Sequence, residues 1–138
     1  MKIVKKTFAA DRLHKALFGK PLEWGKTDCG QMAMMLAEEL DIEPPSVGKY
    51  TSQGQARRRL RALGYDTLDA YMDAHFLRIK PSEALAGDVM AFPAEDGSVF
   101  GVSLGLALNS VRAMALHPVS GKWDHIDRGA ASMAWRLI

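Results

Sequence analysis

Residues 21–32 read Pro21-Leu22-Glu23-Trp24-Gly25-Lys26-Thr27-Asp28-Cys29-Gly30-Gln31-Met32. The segment leaves a loop marked by Pro21 and Gly25 and enters a run with apolar residues at helical spacing. Cys29, Met32, Ala33, Leu36 and Leu40 fall at i, i+3, i+4, i+7 and i+11, which predicts one helix with a single buried stripe. Asp28 stands at the expected N-cap, where its carboxylate can accept from the free amides of the first turn. Pro44-Pro45 bounds the helix on its far side. Cys29, the one cysteine of the chain, therefore opens a helix. Two readings stand open. A helix start favours the thiolate and suits a nucleophile. The neighbouring Asp28 disfavours a second anion, and free cysteines are among the most buried residues, which suits a small core side chain.

Working outward, residues 8–18 repeat apolar positions at helical spacing and stop at Gly19. Further helices are predicted over 52–63, ending at Gly64, and over 68–75. The chain then changes character. Strands are predicted over 76–79, 88–92, 99–108, 111–116 and 122–126. Turn signals separate them at Lys80-Pro81-Ser82, Glu95-Asp96-Gly97, Asn109-Ser110 and Ser120-Gly121. Helices followed by consecutive strands predict an α+β fold, with N-terminal helices packed on a C-terminal antiparallel β-sheet.

A length of 138 residues predicts one domain over 1–138, able to bury a core without disulfides or metals. A lone cysteine excludes an internal disulfide framework and a CxxC zinc site, and no cofactor or metal is expected. A net charge of +2 is too small to argue for nucleic acid or a membrane surface. The opening MKIVKKTFAADRLHK lacks the apolar run of a signal peptide, and no window reaches the length of a membrane span. The expectation is a protein made and kept in the cytoplasm unless another machine carries it out.

Four segments taken in order, Trp24-Gly25, Asp28-Cys29, Ala86-Gly87-Asp88-Val89-Met90-Ala91-Phe92 and Gly101-Val102-Ser103-Leu104-Gly105, resemble the NlpC family of papain-like cysteine peptidases. The resemblance covers about residues 20–117. In that family a "WG…DC" loop precedes the nucleophile helix, a "GD" turn opens the first core strand, and "HVGIYLG" forms the next. It implies a cysteine that attacks peptide bonds of cell-wall stem peptides, a histidine base and a polar orienting residue. Cys29 then matches the nucleophile, Gly87 and Asp88 the turn, and Gly101 and Gly105 the glycines of the histidine-bearing strand. The chain departs at two positions. Val99 occupies the place of the base, and Leu22 the place of the tyrosine that helps form the oxyanion hole. Losing the base removes both activation of the thiol and the proton donor for the leaving amine. The compact form, closing on Trp135, looks most like small members from phage and prophage tail-gene clusters.

Among the four histidines, His117 ends the strand over 111–116, in the topological place of the family's orienting residue; the resemblance makes it the candidate partner of Cys29. The alternative is a strand-end histidine bonded to loop backbone. His14 on the first helix and His125, sharing a face with Trp123, read as surface residues; His75 suits a helix C-terminus. Arg57-Arg58-Arg59-Leu60-Arg61 places Arg57 and Arg61 on one helix face, with Arg58 turned away from it and Ala56 and Leu60 toward the core. That run is either a solvated face or a dock for an acidic protein; nucleic acid lacks a stacking platform here. The methionines read mostly as core fillers, Met34 as a possible contact surface, and Trp24 and Trp135 as core residues that fix the loop before Cys29. Two functions follow. One is a catalytically degenerate NlpC-like component of a phage tail tip or baseplate, with other tail proteins as partners. The other is a cysteine peptidase acting on peptidoglycan through Cys29 and His117.

Overall fold

The computed structural model describes residues 1–94 and 101–138. Four helices come first: α1 (Lys2–Leu17), α2 (Cys29–Glu39), α3 (Gln53–Ala62) and α4 (Leu68–His75). Six strands follow: β1 (Leu77–Ile79), β2 (Val89–Pro93), β3 (Val102–Ala107), β4 (Arg112–Leu116), β5 (Trp123–Asp127) and β6 (Met133–Arg136). They form one antiparallel sheet in the order β1-β6-β2-β3-β4-β5. The fold is α+β, as the order of sequence patterns predicts.

The expected stripe of α2 is buried throughout: Cys29, Met32, Ala33, Leu36 and Leu40 are each at most 5% exposed. This face lies against α1 and β3. Side-chain caps start three of the helices, with Asp28, Ser52 and Thr67 each accepting from the amide three residues on. The sheet face toward the helices carries Val89, Ala91, Val102, Leu104 and Leu106. The opposite face buries a smaller cluster around Met90, Phe92, Ala113 and Ala134.

The Gly87-Asp88 turn ties the sheet to α1. Gly87 has φ +89°, and a Cβ there would come 2.7 Å from the Lys6 carbonyl oxygen, so only glycine lets the two backbones meet. Asp88 is wholly buried. It accepts from the Lys6 ammonium, from the Arg136 guanidinium at 3.1 Å and from the Leu85 amide at 2.8 Å.

Four expectations need correction. The first helix begins at Lys2 rather than residue 8, because its early turn exposes Ile3 and Val4 and so leaves no apolar period to read. Strand β6 was not foreseen, and it separates β1 from β2 in the sheet. Trp135 is buried on β6, but its Nε1–H donates to Asp73 on α4 at 2.9 Å, so it fixes α4 and not the loop before Cys29. The strand expected over 99–108 runs over Val102–Ala107 among the described residues; the Glu95-Asp96-Gly97 turn and Val99 lie outside them.

Candidate functional site

The loop before Cys29 is held by three sets of bonds. At its start, Pro21 bridges to Lys122, and the Leu22 amide donates to the Gly121 carbonyl. Thr27 Oγ1 donates to the Pro21 carbonyl and accepts from the Glu23 amide. Trp123 Nε1–H donates to the Thr27 carbonyl at 2.7 Å. Trp123 thus ties down this loop in the role expected of Trp135, while Trp24, within the loop, is partly buried against the core.

Asp28 closes the arrangement. Its carboxylate is 1% exposed and accepts from the Gly25 amide (2.7 Å), the Gln31 amide (3.0 Å) and the Tyr50 hydroxyl (2.8 Å). Burial and the adjacent Asp28 carboxylate push the Tyr50 phenol far up, so it stays a donor. Gly25 has φ +84°, and a Cβ there would sit 1.9 Å from the Tyr50 carbonyl oxygen. The "WG…DC" residues thus form a lock that seats the start of α2. Tyr50 escaped the sequence reading; its trace is one aromatic in the connection between Pro44-Pro45 and α3.

Cys29 is 5% exposed at the first position of α2. Its thiol is pushed up to about 12. Burial is the main cause, and the Asp28 carboxylate adds to it; hydrogen bonds from the backbone of Leu104, Cys29 and Gly30 act in the opposite sense without compensating. The thiol borders a cleft of about 840 Å³ whose lining also includes Leu22, Val102, His117 and His125. Cys29 and His117 therefore share one cleft. Among the described residues, however, no hydrogen bond joins the Cys29 sulfur to an imidazole. His117 Nδ1 accepts from the Val119 amide at 3.1 Å. A neutral ring so bonded carries its proton on Nε2, which can then donate but not accept. On the β3 face toward α2 stand Val102 and Leu104, which have no proton to exchange.

The remaining histidines are partnered. His75 ends α4, with Nε2 3.2 Å from the Tyr65 hydroxyl. His14 and His125 do not stand apart on the surface as expected. Their Nε2 atoms are 2.9 Å apart, their rings lie within 10° of parallel, and Phe18 packs on both. The contact joins α1 to β5. His14→Ala and His125→Ala are each expected to cost about 0.5–1.5 kcal/mol. In urea denaturation the double variant should cost less than the sum of the two. Strict additivity would mean that the rings do not bond in solution.

These features define an α+β domain of NlpC-like fold in which a cysteine opens the second helix. The structure is similar to that of NlpC2 from Trichomonas vaginalis, with a TM-score of 0.53 and 17% identity. The match covers 96% of this chain and 47% of that one, so this chain spans about half the length of its structural neighbour. Residues 6–137 match the family described as a domain of unknown function, DUF6950, and the chain belongs to that family. No curated protein matches it. Among the described residues no helix is long and apolar enough to cross a membrane.

Proposed function

We propose that this chain is an NlpC-like domain whose role is structural or docking rather than hydrolytic, working among the proteins of a phage-like tail tip or baseplate. The observation that carries the reading is the state of Cys29: a buried thiol, held protonated, with no imidazole bonded to it among the described residues. Val99 and Leu22 at the family's base and oxyanion positions agree with it. Removing one oxyanion donor alone costs about 100- to 1000-fold in rate. The tail setting rests on the resemblance of this compact form, from Trp24-Gly25 to Trp135, to small members of tail-gene clusters.

A second reading keeps the peptidase, because Cys29 and His117 line the same cleft. One pair of assays separates the two. The purified protein, incubated with peptidoglycan, is expected to release no more soluble muropeptide than Cys29→Ala does. Particles carrying Cys29→Ala should assemble and infect like wild type, whereas particles lacking the protein should fail to form complete tails. Muropeptide release that disappears in Cys29→Ala would establish the peptidase instead. Normal tails without the protein would refute the structural role.

A further inference from the structure

We propose that the arginine face of α3 is a docking surface for an acidic segment of a partner protein. The inference concerns a face distinct from the Cys29 cleft and does not depend on the tail reading. Helix α3, Gln53–Ala62, buries only Ala56 and Leu60 and contains no carboxylate. With about 100° per residue, Arg57 and Arg61 stand about 40° apart and Arg58 about 100° from Arg57, so Arg58, expected to turn away, instead shares with them one exposed side opposite that buried stripe. All three are exposed. Arg59 lies on the other side, its guanidinium over Gly48.

The other arginines of the chain show what this side chain does when it serves the fold. Arg12 pairs with Glu39, Arg78 grips Asp73 with two nitrogens, Arg128 donates to three carbonyls, and Arg136 bonds Asp88 and the Glu83 carbonyl. Outside α3, Arg112 alone has no such partner among the described residues. On α3, Arg57 and Arg58 donate to no protein acceptor among the described residues. Arg61 approaches only Asp66, at 3.8 Å, and Asp66 is 92% exposed. Like charges at i, i+4 also repel. Apart from the long Arg61–Asp66 approach and the place of Arg61 in the last helical turn, no contact within the described fold uses this face, which presents three planar forks that match carboxylates bidentately. A protein carboxylate cluster fits better than nucleic acid. The face spans about one turn of helix and carries no aromatic for bases to stack on.

The test uses the full chain and a fluorescein-labelled twelve-residue polyglutamate peptide, read by anisotropy in 50 mM and 150 mM salt. Binding that weakens with salt is expected. Arg57→Gln/Arg58→Gln/Arg61→Gln should weaken it about tenfold or more, with a melting temperature equal to or above wild type, since like-charge repulsion is relieved. Lys2→Gln/Lys20→Gln/Lys80→Gln removes the same charge elsewhere and should change binding less than about twofold. Equal losses in both variants would reduce the effect to net charge and overturn the proposal. So would no binding at 50 mM salt, or a lowered melting temperature in the arginine variant. A 20-base-pair DNA duplex that binds more tightly than the peptide, and is lost with the same arginines, would reassign the face to nucleic acid.

Discussion

Asp88→Ala is expected to destabilise the fold by about 3–5 kcal/mol, the range for removing one partner of a buried ion pair. In a chain of this length that lowers the melting temperature by about 10–15 °C. Asp88 is wholly buried, and its two oxygens pair with Lys6, itself 3% exposed, and with Arg136, so one carboxylate is shared between two cations. Removing the carboxylate leaves the Lys6 ammonium inside the protein with no counter-charge and frees the Leu85 amide. Arg136 can turn outward, since its side chain is already 30% exposed; Lys6 on the inner face of α1 cannot do so without tilting the helix. Lys6→Met is expected to cost less, because Arg136 still faces Asp88. The paired change Lys6→Met/Asp88→Leu should recover part of the loss, since it removes both ions together. Urea denaturation measures all three. A cost below about 1 kcal/mol for Asp88→Ala would mean that the charges are solvated and that the Gly87-Asp88 turn does not clamp α1.

That clamp shows where the sequence could be read and where it could not. Local chemistry was legible. The Asp28 cap, the α2 stripe and the Asn109 turn each follow from residues within a few positions of one another, and Asn109 Oδ1 does accept from the Val111 and Arg112 amides. The hairpins β3–β4 and β4–β5 were legible for the same reason. Pairings across long separations were not. Nothing in the residues around Lys6 announces Asp88, 82 positions away. Met90 pairs with Ala134, and neither segment carries a mark that announces the other. His14 and His125 each read as surface residues, because nothing in either neighbourhood reveals a second imidazole 111 residues away. The candidate site divides in the same way. The "WG…DC" residues pointed to a cysteine at a helix start, which is correct. The core cluster that encloses it includes Leu104 and Tyr50, which arrive from elsewhere in the chain.

Cys29 should therefore alkylate about a thousandfold or more slowly than a free thiol at pH 7. A thiol at about 12 is ionised to roughly one part in 10⁵ at that pH, against a few per cent for an unperturbed cysteine near 8.5. The rate with iodoacetamide should climb about tenfold per pH unit from 7 to 10, without the levelling that a free thiol shows above about 8.5. Denaturant should abolish the difference. Stability carries the same signature. The folded thiol titrates above the unfolded one, so the stabilisation it brings is complete below about pH 8.5 and declines as pH rises toward 12. Between pH 8.5 and 10 the wild type should lose about 1.5 kcal/mol that Cys29→Ala does not lose. Fast alkylation near pH 6 would contradict the buried, protonated thiol. If that fast rate also fell in His117→Ala, the two residues would be acting as a dyad across the cleft they share. The alkylation profile thus bears on the same choice as the muropeptide assay, but without needing the right substrate, because the thiol reports its own ionisation.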